Sequence, residues 1–588
     1  MRRPIFQDEN NTDDQKPASA QGYGAILGAI GIQAGVFLLG FLLVAFAGAT
    51  FAVSRIIYVT VDLPGFILTV FLALALVSAA MLPEIRRVFL AFPITRLSPV
   101  PIALVTLVVS VISVHLVYHD YAFSMDEWMT RLQSEIFQSG QLTAFVPEEW
   151  RPYGRAMYHE FASYDPVSGA LASNYRPGMA FLDAVFSLVG LGSYVSAILN
   201  AVAILLVARV ARQLFPESAE APIVAALLLA TSQQAFANAL TSYAMSAHLC
   251  FNLLWLTLFL EDRWRSHVLA ALVGVATASL HQIHLHAFFA LPFLLTLLRP
   301  FRPGLVLMYG AVYLVGHLAV LGWDWVSFNR YLTEAAAIVP EAAAKPVPNV
   351  LQRAWAMAKL AEIDNLFAVT ANLARLLAWQ SLALLPLLLV SWRYLRGDRR
   401  LMLLVWSLIF STLPYLILMP DQGHGWGYRY LHGLLGHLVL LGIPGWIALR
   451  KTGTRPAYLG WVTACLLVSP FALIPFRALQ IENMVGPYAR ATAMVSAQEA
   501  EVVIVDDFRV AIAKDIPRNS PVTPVRPISL SDWNLTAEQI RRLCRDYDVS
   551  IPEPSEYAAL GVHTLDEVPE PLMEWYVAQK PAKDACNR

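Results

Sequence analysis

Long apolar runs dominate the chain from about residue 26 to residue 476. A helix crosses the apolar core of a bilayer with about 20 residues. The runs therefore predict thirteen membrane-spanning helices, near residues 26–53, 63–83, 100–118, 193–214, 220–237, 243–261, 267–282, 286–299, 304–322, 379–396, 401–419, 430–449 and 456–476. Two of them, 267–282 and 286–299, are short and predict a re-entrant or kinked pair, and the apolar stretch 178–190 is too short to span alone.

Basic residues mark every second connection between the predicted spans. Because Lys and Arg favour the cytoplasmic side of a membrane, this alternation places the N-terminus in the cytoplasm. The basic connections contain Arg86, Arg87 and Arg96; Arg209 and Arg212; Arg263 and Arg265; Arg299 and Arg302; Arg393, Arg396, Arg399 and Arg400; and Arg450, Lys451 and Arg455. The segments 119–192, 323–378 and 477–588 are then expected outside the cytoplasm.

The polar segments divide the chain into three regions. Residues 1–21 are rich in Asp, Asn and Gln and predict a disordered cytoplasmic tail. Residues 22–476 form the predicted membrane domain, in which the outer loop 323–378 is expected to be a mobile cover over a site. In the tail 477–588, a buried strand at 501–506 and an amphipathic helix that starts at Thr536, with Gln539 completing a capping box, indicate a small soluble α/β domain. The predicted fold class is an all-α polytopic membrane protein with this α/β domain at its C-terminal end.

Composition agrees with a membrane protein and narrows the partners. Of the 588 residues, 57% are hydrophobic and 14% are charged, whereas soluble proteins carry about a quarter charged residues. The net charge of -1 gives no indication of a nucleic-acid partner. The four cysteines form no zinc pattern. Cys250 and Cys465 are expected in the core, and Cys544 and Cys586 can pair only in an oxidising compartment.

The first predicted outer loop contains two adjacent acids, Asp126 and Glu127. Ser124 and Glu127 have the spacing of a capping box, which predicts the start of a helix. That helix is expected to end at Gly140 and to lie on the membrane surface with its apolar stripe down, the stripe being Met125, Met129, Leu132 and Ile136. Both acids would complement the helix dipole in a purely structural role. Capping already accounts for Glu127, whereas it does not account for Asp126.

An Asp-Glu pair in the first outer loop, followed by a surface helix that ends in Gly, resembles the membrane glycosyltransferases of the C-type fold. These include the protein O-mannosyltransferases and the bacterial enzymes that add aminoarabinose to lipid A. The resemblance implies that an acid of this loop is the catalytic base, with Asp126 as the best match and Asp120 and Glu127 as rivals. The chain departs from many relatives because it has two additional helices before the loop, which leaves the sidedness of the loop unchanged.

The segment Asn174-Tyr-Arg-Pro-Gly178 resembles the entry to the next helix in the same superfamily. Pro177 suits the first turn of a helix, because its missing N–H would be unpaired there. Tyr175 and Arg176 are therefore candidates for contact with a lipid phosphate or its sugar. The alternative is an interfacial arginine that snorkels to phospholipid headgroups.

The outer turn between the two short helices carries His281, His284 and His286. A His-x-x-His-x-His pattern can bind a metal ion, but no acidic residue is adjacent. The turn can also hydrogen-bond a phosphate, or it can be a structural polar turn. A divalent cation is thus compatible with the sequence but not indicated, and no cofactor is expected to be required.

The segment 421–430 is a glycine-rich outer loop with His424, Trp426, Tyr428 and Arg429. Glycines allow backbone to approach a ligand closely. The aromatic residues either stack on a sugar or belong to the interfacial aromatic belt. Arg429 is either a phosphate ligand or an interfacial anchor. A loop of this kind also resembles one found in bacterial members of the C-type superfamily.

Taken with the resemblance, these features predict an inverting glycosyltransferase at the outer face of a bacterial inner membrane. The expected donor is a polyprenyl-phosphate sugar, and the expected acceptor is a hydroxyl of a glycan, a lipid or a protein. A fixed cation stabilises the leaving phosphate, and a base accepts the acceptor's proton. The alternatives are a transporter or flippase for lipid-linked substrates and a non-catalytic scaffold. The small number of charged residues in the predicted spans argues against the transporter.

Overall fold

The computed structural model describes residues 18–46, 52–332, 363–418, 422–452, 455–523 and 525–586. The predicted tail 1–21 thus lies almost entirely outside the described residues. Five helices precede the first outer loop: α1 (Ala18–Phe46), α2 (Ala52–Ile57), α3 (Leu63–Met81), α4 (Pro83–Ala91) and α5 (Pro99–Leu116). A π-helical segment, Tyr58–Asp62, joins α2 to α3.

The segment that was predicted as the first outer loop contains both helices and strands. It contains α6 (Met125–Gln138), the short α7 (Gly154–Met157) and α8 (Pro177–Ser187). Its strands are β1 (Ala144–Phe145), β2 (Ala162–Tyr164) and β3 (Ala170–Ser173). They form an antiparallel sheet with β3 in the centre. Pro177 occupies the first turn of α8, as its fixed φ predicts.

The next helices are mostly apolar and pack against one another. They are α9 (Val195–Leu214), α10 (Ala221–Ala230), α11 (Gln233–Asn238), α12 (Met245–Leu260), α13 (Trp264–Ala278), α14 (Ile283–Leu295) and α15 (Pro303–Asp324). The predicted span 220–237 is therefore two helices, because Ser232 starts a new one by accepting a hydrogen bond from the Ala235 N–H.

The remaining helices of the bundle follow residue 362. They are α16 (Ile363–Ala378), α17 (Leu384–Leu395), α18 (Arg399–Leu418), α19 (Leu435–Thr452) and α20 (Pro456–Ser496). With 41 residues, α20 is about 60 Å long at 1.5 Å per residue. It therefore extends well past the predicted span end at residue 476 and leads into the C-terminal domain.

The C-terminal segment contains a three-stranded parallel sheet. Its strands are β4 (Val502–Val505), β5 (Ile528–Ser531) and β6 (Val549–Ser550), in the order β5-β4-β6. Its helices are α21 (Ala537–Asp546), α22 (Pro554–Ala559) and α23 (Met573–Cys586). The predicted capping box of Thr536 and Gln539 is confirmed. Cys544 and Cys586 form a disulfide, whereas Cys250 and Cys465 are buried and free.

Within the described residues, seven helices are long and apolar enough to cross a membrane. They lie at Gly24–Leu43, Arg55–Met81, Pro99–Leu116, Gly192–Leu214, Pro303–Leu332, Arg429–Thr452 and Pro456–Ser496. Five shorter apolar helices accompany them, at Ala221–Ala230, Met245–Leu260, Ile283–Leu295, Ala368–Ala378 and Leu384–Leu395. The chain is thus a mostly helical protein with several membrane-crossing helices.

The prediction that residues 323–378 form one covering loop is wrong at both of its described ends, because the helix that contains α15 continues to Leu332 and α16 begins at Ile363. Residues 333–362 lie outside the described residues, but α16 packs into the bundle beside α1 and α3. A Cβ on Gly40 would lie 2.9 Å from the Cβ of Ala374, and Arg375 contacts Asp62 at 2.6 Å. This helix was not predicted as part of the bundle because it contains the charged residue Arg375. The ion-pair partner that allows Arg375 to be buried, Asp62, lies more than 300 residues earlier in the chain.

The bundle also buries more charge than the sequence predicted. Asp62, Arg375 and Arg477 are at most 1% exposed, although each was expected at the end of a span or in an outer segment. The Arg477 guanidinium lies 4.0 Å from the ring centre of Trp379 and donates to Gln233 Oε1 at 2.8 Å. Pairing therefore allows these charges to be buried.

The apolar stripe of α6 does not face lipid, contrary to the prediction. Met129, Leu132 and Ile136 are completely buried. They belong to one apolar cluster with residues of the first outer loop and of the C-terminal sheet, including Leu171 and Ile504. Protein surface covers the stripe where a membrane surface was expected, so α6 connects the outer loop to the C-terminal segment.

Candidate functional site

A small cavity lies where five segments meet: the start of α6, the start of α8, the start of α12, the turn before α14 and the glycine-rich loop. Its polar lining includes Asp126, Tyr175, Arg176, Tyr243, His281 and Arg429. The free space is about 20 Å³, which is enough for one water molecule. Five of these six residues were predicted from the sequence as candidates, and the fold brings them to one place.

Asp126 and Arg429 form an ion pair in the wall of this cavity. Arg429 Nη1 lies 2.6 Å from Asp126 Oδ2, and the two side chains are only 9% and 14% exposed. The Tyr175 hydroxyl donates to the other oxygen, Oδ1. Burial alone would raise the pKa of Asp126, but Arg429 and the Tyr175 hydroxyl hold that pKa below its usual value. Asp126 is therefore a carboxylate at neutral pH.

The glycine-rich loop fixes Arg429 from several sides. Its Nη2 donates to the Gln422 carbonyl at 2.7 Å, and its backbone N–H donates to Gln422 Oε1 at 2.9 Å. Its guanidinium lies 4.8 Å from the ring centre of Tyr243 and 5.4 Å from that of Tyr430. Gly425 has a φ of 125°, and a Cβ there would lie 2.7 Å from Arg429 Cδ. Glycine is thus required beside this arginine.

The N-cap predicted at Ser124 is confirmed, but the capping role predicted for the Glu127 side chain is wrong. Ser124 Oγ accepts from the Glu127 N–H at 3.3 Å. The Glu127 carboxylate instead accepts from the Tyr118 hydroxyl at 2.7 Å and from the Ser242 N–H at 3.1 Å. Burial raises the pKa of Glu127 to about 7. Two donors from other elements draw the carboxylate inward, away from the N-cap backbone.

Arg176 also lines the cavity. Its Nη1 contacts Asp324 Oδ1 at 2.7 Å and donates to the Val320 carbonyl at 3.2 Å. The Gly178 N–H donates to the Ser279 carbonyl at 2.8 Å, which holds the start of α8 against the turn before α14. This backbone contact brings Arg176 and Tyr175 close to His281.

Only one of the three clustered histidines lines the cavity. The ring of His281 lies 4.8 Å from that of Tyr175, and burial lowers the pKa of His281 to about 4, so it is neutral at physiological pH. His284 is exposed. His286 points into the bundle, where its nitrogens lie 3.1 Å from Asn252 and 3.1 Å from Tyr313. No group of three potential ligands suited to a metal ion occurs among the described residues.

The structure does not bring the other predicted site residues to the cavity lining. His424 Nε2 lies 3.4 Å from Asp515 Oδ2. Trp426 is buried and donates to the Tyr118 hydroxyl at 3.3 Å. Tyr428 is also buried, with its N–H bonded to Gln234. Both aromatic residues therefore stabilise the loop from within and do not offer an open stacking surface.

Asp120, the rival of Asp126, faces away from the cavity. Its Oδ1 lies 2.9 Å from Arg131 Nη2, and its Oδ2 accepts from the Ser193 hydroxyl at 2.9 Å. Its side chain is 39% exposed. The geometry thus favours Asp126 over Asp120 as the acid of the site.

The sequence reasoning missed Tyr243 and Asp515. Tyr243 accompanies Arg429 in the cavity wall. It is the first residue of the predicted span 243–261, directly after the short polar connection 238–242, and this position was an available signal. Asp515 comes from the C-terminal segment, is completely buried, and has a pKa raised by burial to about 8. The neighbouring Arg518 donates to the Ala122 carbonyl at 2.9 Å. No local pattern predicts these contacts, because they join parts of the chain almost 400 residues apart.

Among solved structures, the chain has matches of low sequence identity. The chain is similar to ArnT from Cupriavidus metallidurans in the apo state, with 12% identity, a TM-score of 0.47, and coverage of 78% of this chain and 94% of that chain. The same protein bound to undecaprenyl phosphate gives a TM-score of 0.37 at the same identity and coverage. With TM-scores below 0.5, neither similarity assigns a role to a residue of this chain.

No protein family model matches the chain, and no curated protein matches it.

Proposed function

We propose that the chain is an inverting glycosyltransferase, which moves a sugar from a polyprenyl-phosphate carrier to an acceptor hydroxyl. The observation that carries this proposal is the buried ion pair of Asp126 and Arg429 in the wall of one cavity. Transfer from a phosphate carrier needs a group that accepts a proton and a group that holds an anion. This pair supplies one of each, a few ångströms apart.

Arg429 is the proposed ligand of the carrier phosphate. A guanidinium binds phosphate oxygens through two parallel N–H groups. In a site from which water is largely excluded, this charge stabilises the anion more than it would in bulk water. Arg176 and His281 line the same cavity and are placed to donate further hydrogen bonds to the phosphate. A fixed cation of this kind meets the need for charge stabilisation without a required cofactor.

Asp126 is the proposed base. Its carboxylate takes the proton of the acceptor hydroxyl, and the oxygen then attacks the anomeric carbon from the face opposite the phosphate. The bond between that carbon and the phosphate oxygen breaks, and the prenyl phosphate leaves with the bonding electrons. This direct displacement inverts the anomeric centre. When a phosphate shares Arg429, the guanidinium stabilises the Asp126 carboxylate less, so donor binding raises the pKa of Asp126 and makes it a better base.

The proposed location is the outer face of a bacterial inner membrane, with the N-terminus in the cytoplasm and the C-terminal α/β domain in the periplasm. The alternation of basic connections supports this orientation. The disulfide of Cys544 and Cys586 supports it too, because disulfides form and persist in oxidising compartments. The acceptor is a hydroxyl of a glycan, a lipid or a protein.

A transporter or flippase for the same lipid is the second candidate. It is favoured by the buried charges Asp62, Arg375 and Arg477, because buried ionisable residues in a helix bundle often mark transport pathways. These charges are paired with one another and with neighbouring side chains, which favours a structural role. A flippase moves the glycolipid across a bilayer and leaves its glycosidic bond intact, whereas a transferase consumes that bond.

Binding of undecaprenyl phosphate to the purified protein in nanodiscs tests the proposal. The loss of a charge-assisted contact in Arg429→Ala is expected to weaken binding by about 10- to 100-fold. Arg429→Lys should recover only part of it, since lysine lacks the planar fork. Arg450→Ala is the matched control, because Arg450 pairs with Glu220 and does not line the cavity. Equal binding by wild type and Arg429→Ala would contradict the phosphate role.

A further inference from the structure

A separate cavity lies at the membrane face opposite Asp126 and Arg429. Four helices surround it, namely α1, α17, α19 and the start of α20. α19 begins at Leu435, directly after the glycine-rich loop, and its 18 residues extend over about 27 Å at 1.5 Å per residue, close to the thickness of the apolar core of a bilayer. The cavity is lined by Thr452 at the far end of α19, so about one membrane thickness separates it from the proposed transferase site.

This cavity has room for more than a few water molecules. Its free space is about 210 Å³, whereas one water molecule needs about 10–15 Å³ on the same measure. Its lining includes Leu389, which is 40% exposed on the outside of the bundle. A lipid can therefore enter the cavity sideways from the bilayer, and the space admits a phosphate together with its ester groups.

Neighbouring residues place the cavity at the depth of lipid headgroups. Trp392 directly precedes the cavity-lining Arg393 and is 63% exposed. The Arg396 guanidinium lies 5.8 Å from the ring centre of Trp392. Exposed tryptophans and basic residues at the end of a membrane helix mark the boundary between the apolar core and the headgroups. A headgroup in the adjacent leaflet is therefore level with the cavity.

Two arginines give the cavity a positive charge. Arg393 and Arg455 line it, and of the described residues that line it, none is Asp or Glu. Other arginines of the same face form ion pairs with acids, namely Arg209 with Glu261, Arg302 with Asp262 and Arg450 with Glu220. Arg393 and Arg455 have no acidic partner of this kind in the described part of the chain. The two charges are therefore available to an anion that enters the cavity.

The lining indicates the class of that anion. A guanidinium binds the oxygens of a phosphate through parallel N–H groups. Leu389 and Leu449 add apolar lining, which suits a phosphate that carries a hydrocarbon part better than a free, fully hydrated phosphate. A headgroup with a cation of its own, such as choline, would bring that cation close to two arginines and to no carboxylate. Basic cavities between membrane helices bind anionic headgroups in this way.

We infer that this cavity binds the headgroup of a net-anionic phospholipid, such as a phosphatidylglycerol, and that Arg393 and Arg455 are the ligands of its phosphate. In the proposed orientation this lipid belongs to the cytoplasmic leaflet. The inference does not depend on the proposed transferase function, because neither Asp126 nor Arg429 takes part. A lipid bound here contacts four helices and stabilises their packing at this face.

The test measures the binding of single lipids to the purified full-length protein in an uncharged detergent, by native mass spectrometry. In micelles, no charged bilayer surface attracts arginines in general. The probes are phosphatidylglycerol, phosphatidylcholine and inorganic phosphate. The variants are Arg393→Gln, Arg455→Gln and Ala25→Phe, the last of which fills the cavity from α1 without a change of charge. Arg399→Gln is the matched control, because Arg399 starts α18 on the same face and does not line the cavity.

We expect wild type to bind phosphatidylglycerol more tightly than phosphatidylcholine. Each glutamine variant should weaken phosphatidylglycerol binding by about 10-fold or more, as for loss of one charged hydrogen bond, and Ala25→Phe should weaken it by blocking the space. Arg399→Gln should bind as wild type does. Phosphatidylglycerol should also raise the thermal unfolding midpoint of wild type, but not that of the double variant Arg393→Gln/Arg455→Gln, since a ligand of the folded state stabilises that state.

Four results would overturn the inference. Equal binding of the two phospholipids by wild type would contradict the preference for a net anion. An equal loss in Arg399→Gln and in the two arginine variants of the cavity would reduce the effect to general surface charge. Unchanged binding by Ala25→Phe would place the lipid outside the cavity. Displacement of phosphatidylglycerol by an equal concentration of inorganic phosphate would assign the two arginines to a soluble phosphate.

Discussion

Asp126 and Arg429, separated by 303 residues in the chain, meet in a contact of 2.6 Å in the wall of the cavity. The start of α6 presents the Asp126 carboxylate, and the glycine-rich loop presents the Arg429 guanidinium. Each keeps the other charged while both are largely withdrawn from water. A phosphate that enters between them competes for the guanidinium and releases the carboxylate, so one contact links donor binding to activation of the proposed base.

Gly425→Ala should disturb Arg429 without removing it. A Cβ at position 425 would lie 2.7 Å from Arg429 Cδ, in a backbone conformation with φ of 125°. The arginine must shift, and we expect undecaprenyl phosphate binding to fall by about 10-fold or more, as for loss of one charged contact. Gly423→Ala is the control, since nothing lies within 4 Å of a Cβ there. Similar binding by the two alanine variants would show that the close approach at Gly425 is unimportant.

Glu127 should make stability depend on pH in a definite direction. Its pKa is raised by burial from 4.5 to about 7, so between these values the folded protein holds a proton that the unfolded chain releases. Stability therefore falls as pH rises through this window, by about 3 kcal/mol for this group. Glu127→Gln removes the titration. The thermal unfolding midpoint of wild type, measured against that of Glu127→Gln from pH 4.5 to 7.5, should fall relative to the variant.

The exposed Glu148→Gln variant is the control for this pH series and should follow wild type. A constant difference between wild type and Glu127→Gln across the series would mean that Glu127 does not change its protonation state in this window.

The buried pair of Asp62 and Arg375 should matter for stability. Removing either partner leaves an uncompensated charge in the bundle, which costs about 3–5 kcal/mol. The double variant Asp62→Ala/Arg375→Ala should cost less than the sum of the two single changes, because no charge of the pair is left alone. The thermal unfolding midpoints of the two single variants and the double variant, measured in detergent, test this expectation. The exposed pair of Glu538 and Arg541 is the comparison: Glu538→Ala should cost about 1 kcal/mol or less.

The pair of Asp62 and Arg375 also contacts the glycine-rich loop. Arg375 Nη2 donates to the Gly425 carbonyl at 2.6 Å, so the pair supports the loop that carries Arg429. Single variants that unfold like wild type would contradict the structural role of the pair and strengthen the transporter reading.

The orientation of the chain is open to a direct topological test. We expect a reporter that is active only in the cytoplasm to be silent when fused after Arg588 and active when fused before Met1. The reason is the set of basic connections on one side of the predicted spans. A strong cytoplasmic signal from the C-terminal fusion would reverse the orientation and place the cavity on the inner face.

Local patterns predicted the elements of this protein well and their contacts poorly. The apolar runs located the long helices, and the capping signals at Ser124 and Thr536 located two helix starts. The sequence also indicated Asp126 and Arg429 separately. It did not predict that they are paired, because a contact across 303 residues leaves no local signal. For the same reason α16 was assigned to a loop, since the partner that allows Arg375 to be buried belongs to a distant segment.

Residue type alone also led to wrong predictions at two places in the segments that were expected outside the cytoplasm. Trp426 and Tyr428 were candidates for stacking on a sugar, but the loop folds inward and buries both. The apolar stripe of α6 was expected to face lipid. An apolar stripe indicates that one face of a helix is covered, but it does not identify what covers that face. Here the C-terminal segment covers it.

The most direct test of the central claim is sugar transfer by Asp126→Asn. The variant keeps the shape of the side chain but removes the basic oxygen, and we expect transfer from a glycosylated undecaprenyl phosphate to fall by at least about 100-fold. Binding of undecaprenyl phosphate should be retained, because Arg429 remains. Asp120→Asn and Glu127→Gln, assayed in parallel, should keep most of the activity. Normal transfer by Asp126→Asn would contradict the account, and if Glu127→Gln or Asp120→Asn were inactive instead, the base would be that neighbour.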